Sequence, residues 1–526
     1  MRTLIHQLQK YILTNSRVLP FLLALIALPI VALALIYGTP ITIHNPTPGV
    51  SERFGESVSI DGNKFVVGAP YDDTGATDAG SAYLFDATTG ALLRTFNNPA
   101  PAAGDQFGFS VSLYGDKVLI GTTLDNVVYT NSGSTYLFDA TTGALLRTFN
   151  NPTPGADDYF GHAISLLGDR ALISAVWDDT GATDAGSAYL FDATTGALLY
   201  TFNNPTPEFY DQFGKSVSLS DDRLLISAYL DNTGALHTGS VYLYDAVTGA
   251  LSHTFNNPTP EEYDQFGHSV SLSGDRLLVG ANADDAGALN AGSAYLFDAT
   301  TGALLYTFNN PTPEPNETFG EFVYLLGDRA LVGSPRENTG ATQAGSAYLF
   351  DATTGALLQT FNNPTPGVDD SFGISVSLFE GNVLIGAYWD DTGVTDAGSA
   401  YLYLDQTDTD SDGIIDNADN CPADANVNQT DTDGDGQGDI CDFTPNGDTD
   451  GDDVDELVDN CSGVYNPGQE DNDSDGLGNM CDLTPDGDPN PNPTNIDQCK
   501  QLSWMDFGFR NQGQCVAFVN TGYDSR

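Results

Sequence analysis

Phe160-Gly161-His162-Ala163-Ile164-Ser165-Leu166-Leu167-Gly168-Asp169-Arg170-Ala171-Leu172-Ile173-Ser174-Ala175 opens one of seven near-copies, and its recurrence decides the fold. The Phe-Gly pair returns at Phe54, Phe107, Phe160, Phe213, Phe266, Phe319 and Phe372, always 53 residues apart. Self-similarity at a fixed period of this length marks a repeat architecture. Within the unit quoted, four short apolar or alternating runs succeed one another: 163–167, 170–175, 187–191 and 198–202. Turn chemistry separates them. Gly168-Asp169 comes first, then Asp178-Asp179-Thr180-Gly181, then Asp192-Ala193-Thr194-Thr195-Gly196, then Asn203-Asn204-Pro205-Thr206-Pro207. Gly196 supplies the positive φ of a short hairpin loop, and the prolines end the ladder because they lack a donor. Four antiparallel strands per unit, with a unit length near that of kelch repeats, predict propeller blades.

The chain ends are out of phase in a way that a ring explains. The seventh unit stops after its third run, at 399–404, without the Leu-Leu-x-Thr-Phe strand. At the other end, Thr42-Ile43-His44-Asn45-Pro46-Thr47-Pro48 aligns with Thr148-Phe149-Asn150-Asn151-Pro152-Thr153-Pro154, two periods later. The N-terminal strand is therefore expected to complete the seventh blade and remove two open edges. The predicted class is all-β: a seven-bladed propeller over 41–404.

Phe-Gly at the head of each unit, with Val66-Val67-Gly68-Ala69-Pro70 in the first, resembles the FG-GAP repeat of integrin α-chain propellers and many bacterial surface proteins. Calcium-binding members of that family carry an Asp-rich loop between strands one and two. Here that place holds only a tight Gly-Asp turn, so the resemblance does not imply integrin-like calcium sites in the propeller.

Differences among the units fall on the face built by the strand 2–3 and strand 4–1 loops. The position after Phe-Gly, expected to edge the central channel, reads Glu56, Phe109, His162, Lys215, His268, Glu321 and Ile374. The slot after strand two reads Tyr71, Leu124, Trp177, Leu230, Ala283, Arg336 and Trp389, with Asp pairs next at 72–73, 178–179, 284–285 and 390–391. Tyr71, Trp177, Trp389, His162 and His268 make up the candidate ligand face: sugar rings stack on the tryptophans and carboxylates accept hydroxyl hydrogen bonds. The competing reading has exposed loops varying freely and aromatics covering blade ends. His162 and His268 stand a whole blade apart, which argues against a zinc site. No Gly-x-Ser-x-Gly, His-Glu-x-x-His or P-loop signature occurs.

The 526 residues hold 72 acidic against 17 basic side chains, a net charge of -55. Such a polyanion is repelled by phosphate backbones, which excludes nucleic acid as a partner. Arg2, Lys10 and Arg17 precede an uncharged apolar run of 20 residues, Val18 to Tyr37. That length fits a membrane-spanning anchor with a cytoplasmic N-terminus, and Ala32-Leu33-Ala34 equally fits the cleavage site of a signal peptide. Either way, residues 1–40 direct the rest of the chain to export. All six cysteines, Cys421, Cys441, Cys461, Cys481, Cys499 and Cys515, lie in the exported C-terminal part. An even number there reads as disulfides, and the spacing favours sequential pairing without proving it.

After residue 404 the composition changes, and aspartate dominates 405–488 in ordered spacing. Asp408-x-Asp410-x-Asp412-Gly413 leads to Asp416 and Asp419-Asn420-Cys421-Pro422; Asp431-x-Asp433-x-Asp435-Gly436 leads to Asp439 and Cys441-Asp442. A second copy lies 40 residues on, through Asp448, Asp450, Asp452, Glu456, Asp459 and Cys461, then Asp471, Asp473, Asp475 and Cys481-Asp482. Alternate carboxylates aim oxygens to one side of a loop, and glycine allows the sharp turn around a hard cation. These nineteen acids are the candidate calcium ligands. Asp-Asn-Cys-Pro, Asn426, Gln429 and Gly-x-Gly-Asp-x-Cys-Asp resemble thrombospondin type 3 repeats over 408–482. That resemblance implies a core-poor segment wrapped around calcium. The second copy departs from the pattern at Asp453, Ser462 and Asn479. Residues 489–498 read as an extended linker, and 499–526 as a small Cys-flanked module.

Together these features predict an exported, monomeric, calcium-binding adhesion or interaction protein without enzymatic activity, whose partner is an extracellular protein or glycan. A propeller lectin or polysaccharide-active enzyme using the variable face is the alternative.

Overall fold

In a computed structural model, residues 37–410, 412–416, 418–442, 444–449, 451, 454–455, 457–472 and 477–481 are described. The chain divides into two compact units at Gln406/Thr407.

The first unit is a seven-bladed propeller of four-stranded antiparallel sheets. Blades one to six span 57–97, 107–150, 160–203, 213–256, 266–309 and 322–362, each with its strands in sequence order. Blade seven takes three strands from 375–403 and its outer strand from Ile41–His44. The closing register pairs Thr42 with Tyr401 and Ile43 with Ala400, as the phase of the repeats predicts. In blade three the strands run Phe160–Leu167, Arg170–Ala175, Ser187–Asp192 and Leu198–Asn203. The innermost strand thus begins three residues before the apolar run read from the sequence. A register shift between Phe160 and Ile164 accounts for the difference, since a bulge hides the alternation there.

The core lies between blades. One cluster joins Leu172, Leu190 and Phe202 of blade three to Phe213, Leu224 and Tyr242 of blade four. The ring closes through a cluster that joins Ile43, Leu384 and Leu402 to Phe54, Phe65 and Phe85. All seven Phe-Gly phenylalanines are fully buried, each stabilising the fold by about 3 kcal/mol on burial alone. The glycine beside each has a different reason to be there. Gly108 has φ of 92°, and a β-carbon on it would stand 2.4 Å from the Ser81 carbonyl of the preceding blade. Only glycine tolerates both that conformation and that approach.

Innermost strands present one unpaired edge to the channel wall, and serines close it. The Leu113, Leu166, Leu219, Leu272 and Leu325 amides donate to Ser59, Ser112, Ser165, Ser218 and Ser271 Oγ of the preceding blade, at 2.9–3.0 Å. Ser377 receives the Ile60 amide across the closure at 3.2 Å. Tyr324 holds the serine position in blade six, where the latch is interrupted.

The propeller reaches slightly beyond 41–404. Tyr37, counted by sequence in the apolar run, bridges Asp405 and packs edge-on to Phe361 and Tyr403. The rest of that run, residues 18–36, lies outside the described residues. No helix among the described residues is long and apolar enough to cross a membrane.

In the second unit, turns and bends replace strands. Cys421–Cys441 and Cys461–Cys481 form disulfides, each with Cα atoms 5.7 Å apart. Among its described residues, Cys421 and Cys461 are the only buried apolar side chains, while Leu457, Val458 and Tyr465 are exposed. Closing each loop restricts the unfolded chain by about 3 kcal/mol in the loop-entropy account. Cys499, Cys515, the 489–498 linker and the 499–526 module lie outside the described residues.

Candidate metal centre and ligand face

Two carboxylate triads stand out in the second unit. Asp408, Asp410 and Asp412 each offer an oxygen within 4.8 Å of the others, and Asp431, Asp433 and Asp435 do the same. Backbone amides shape the first loop. Gly413 N donates to Asp408 Oδ2 at 3.1 Å, Asp412 N to Asp410 Oδ1 at 3.1 Å, and Ile414 N to Asp412 Oδ1 at 2.8 Å. Gly413 sits at φ 96°, the sharp turn expected from the Asp-Gly spacing. The second loop repeats the pattern, with Gly436 N donating to Asp431 Oδ2 at 3.1 Å.

Backbone amides engage both oxygens of Asp412 and Asp431 but leave oxygens over on their neighbours. Asp408 Oδ1, Asp410 Oδ2, Asp419 Oδ2 and Asp442 Oδ2 are buried without a hydrogen-bond partner. Desolvation, then the charges of Asp412, Asp419 and Asp408, push the Asp410 carboxyl above its ordinary value. At Asp433 the Asp435 amide pulls down, but desolvation and neighbouring carboxylates outweigh it. Unpaired oxygens converging under mutual repulsion are the donor set of a hard divalent cation, whose charge inverts the local balance. The residues fit calcium.

Asp416 and Asp439 are placed differently. Asp416 accepts the amide and hydroxyl of Thr409 at 2.7 and 2.5 Å, and Asp439 those of Thr432 at 2.7 and 2.8 Å. Both carboxylates tie loops closed. Asp419 is shared: its Oδ1 receives Cys421 N and Gln429 Nε2 at 2.8 and 2.7 Å, while Oδ2 stays unpartnered. Asp459 receives Cys461 N and Gln469 Nε2, both at 2.8 Å. Around them Asn420 and Asn460 donate to Gln429 and Gln469 Oε1, at 2.8 and 2.7 Å. Sequence reasoning reaches this clamp beside each disulfide only through Asn426 and Gln429; its signal is the 40-residue recurrence of Asn, Cys and Gln. In the second copy, Asp448 accepts Gly451 N at 2.7 Å, and Asp471 is described. Asp450, Asp452, Glu456, Asp473, Asp475 and Asp482 lie outside the described residues.

On the propeller, the residues after Phe-Gly do line the channel mouth: Glu56, Phe109, His162, Lys215, His268 and Ile374 surround a space of about 290 Å³. Bulges in blades two to five re-aim the strand there. The structure splits the candidate ligand face in two. Trp389 and Tyr71 share one arc with the Arg53 guanidinium, 4.4 Å from the Tyr71 ring centre, 5.5 Å from Tyr388 and 5.7 Å from Trp389. Glu56 pairs with Arg53 at 3.6 Å, so the molecule's own cation occupies these rings. Trp177 lies elsewhere, against Tyr159 and Tyr210 at 5.2 and 5.9 Å. Burial, then the Lys215 charge, drives His162 well below its ordinary value and His268 to about 3.

The Asp pairs are a correction. Asp72, Asp178, Asp284 and Asp390, read as hydroxyl acceptors on an open face, are buried. Each accepts the hydroxyl of Tyr83, Tyr189, Tyr295 or Tyr401 in its own sheet. Their partners Asp73, Asp179, Asp285 and Asp391 receive backbone amides five residues on. These acids hold loops in place.

The family comparisons agree with the fold. The FG-GAP repeat matches residues 49–85, 100–138, 154–191, 207–244, 260–297 and 367–403. The thrombospondin type 3 repeat matches 393–429 and 430–469. The chain is thus a propeller of FG-GAP repeats followed by thrombospondin type 3 repeats. Blade six, which the family match passes over, has the same four strands as its neighbours. No curated protein matches the chain. Both repeat families are typically non-enzymatic, and together with the disulfides they point to an extracellular, calcium-binding protein of adhesion type.

Proposed function

We propose that the chain is an exported, monomeric, non-enzymatic adhesion or interaction protein whose 408–482 segment takes its working form by binding calcium. The observation that carries this reading is the pair of aspartate triads, joined by buried oxygens of Asp408, Asp410, Asp419 and Asp442 that no donor satisfies. Asp408, Asp410, Asp412 and Asp419 hold one ion; Asp431, Asp433, Asp435 and Asp442 hold another. Extracellular sites of this kind bind at about 10⁻⁴–10⁻³ M, so the segment is loaded outside the cell and empty inside it. Residues 1–36 deliver the chain, as a cleaved signal or an anchor.

Limited proteolysis tests it. Millimolar Ca²⁺ is expected to protect 408–482 while leaving the propeller fragment pattern unchanged. Equal cleavage in EGTA and in calcium overturns the reading. Calcium-dependent capture of native surface material supports adhesion, whereas turnover of a polysaccharide by the purified chain makes it an enzyme instead.

A further inference from the structure

Because the blades are near-copies, departures from the repeat stand out. Lys215 is the only cation at the position after Phe-Gly. Its ammonium enters no ion pair or hydrogen bond among the described residues and lies over the Tyr229 ring, 5.5 Å from the centre. Burial weakens its hold on the proton, and the Glu321 charge opposes that through space without contact. Lys215 is half-buried, and an ammonium without a protein partner there gains a charge-assisted bond when an anion joins it. Its lateral neighbours do not help: His162 and His268 are held neutral by burial. His162 Nδ1 is itself buried without a partner.

Beside Lys215 a hollow of about 350 Å³ opens at the channel mouth, walled by Trp177, Tyr159, Tyr229, Gln106 and Gln212. That volume suits a small ligand. Trp177 is wedged by Tyr159 and Tyr210, so little side-chain entropy is lost when a ligand covers it. The two glutamines bring amide donors and acceptors to the same walls. On the opposite arc, Arg53 already covers Tyr71 and Trp389.

We infer that this hollow binds a carboxylated sugar ring, with Lys215 pairing the carboxylate, Trp177 and Tyr159 offering faces to the ring and Gln106 and Gln212 bonding its hydroxyls. An ammonium paired with a carboxylate makes a charge-assisted bond, and aromatic walls suit the apolar C–H face of a pyranose. The net charge of -55 opposes approach from afar, but screening over about 8 Å at physiological salt leaves the local ammonium to decide. The hollow is independent of the calcium segment, and EGTA leaves its binding untouched.

The test is titration calorimetry on the full chain with methyl glucuronide, galacturonate and N-acetylneuraminate, against glucose, galactose and glucosamine. At least one carboxylated probe is expected to bind about tenfold tighter than the neutral sugars. Lys215→Met removes that preference and Lys215→Arg keeps it. Trp177→Ala weakens binding about tenfold, and Trp389→Ala leaves it unchanged. Thermal melts establish that each variant folds; for any that does not, saturation-transfer NMR on the unaltered chain reads whether the sugar ring lies on an aromatic face. No binding by any carboxylated probe, equal binding of neutral sugars, tighter binding of glucosamine, or a preference that survives Lys215→Met overturns the inference.

Discussion

At the scale of single residues, the acids of the propeller do opposite things according to burial. Asp158, Asp211, Asp264 and Asp370 lie buried beneath Asn-Pro loops, and Asn151 Nδ2 meets Asp158 Oδ2 at 2.7 Å. Burial raises all four from 3.8 to about 6. A raised carboxyl takes up protons more readily folded than unfolded, so stability grows as pH falls. The propeller melting temperature is therefore expected to rise between pH 7 and pH 4. Hairpin acids such as Asp139 and Asp192 are lowered by backbone amides of Thr142 and Thr195, and their contribution is lost as pH drops below 3.8. A melting curve that declines steadily from pH 7 contradicts this. Tyr189 donates to buried Asp178 at 2.9 Å, so Tyr189→Phe is expected to cost about 1–3 kcal/mol by leaving that carboxylate short of a donor; urea unfolding reads it. The recurrence of this acid, Glu337 in blade six and Asp elsewhere, with a Tyr every 53 residues is visible in the residue order. That the carboxylate turns inward is not, because its tyrosine donor is eleven residues away in another strand.

At the scale of elements, the N-terminal strand is where the ring is sealed. Ile43 is buried in the cluster joining blades seven and one, while its neighbours pair with Tyr401 and Ser399. Ile43→Asp places an unpaired charge there and is expected to cost more than about 3 kcal/mol, lowering the melting temperature and exposing 41–48 to protease. An unchanged melt means that the strand does not close the blade. This element is legible because its sequence is a displaced copy of an internal strand. The serine latches are not: Ser165 and Leu219 are 54 residues apart, one more than the period, and only the stacking of innermost strands makes that offset a contact. Ser165→Ala is expected to cost about 1 kcal/mol, measured the same way.

At the scale of the whole molecule, the two units rely on different physics. The propeller buries seven apolar seams. The described residues of the second unit bury little besides two disulfides, so cross-links and cations stand in for a core. Reduction together with EGTA is expected to unfold 407–481 while the propeller transition stays within experimental error; a propeller melt shifted by reduction contradicts it. Raising Ca²⁺ is expected to restore protection only in the oxidised chain.

Repeat period, blade number, the limits of the three outer strands of a blade and the sequential cysteine pairing favoured by spacing could be read from residue order, because each depends on contacts within one unit or between identical units. Neighbouring copies must meet alike, so one unit describes them all. Which acids stay free for a ligand, and which arc of the channel mouth stays open, depends on where the copies differ. Arg53 covers Trp389, while Lys215, without an ion pair among the described residues, shares a hollow with Trp177. Arg53 and Trp389 come from the first and seventh blades, which only closure of the ring brings together, and Trp177 and Lys215 meet only where blades three and four stack.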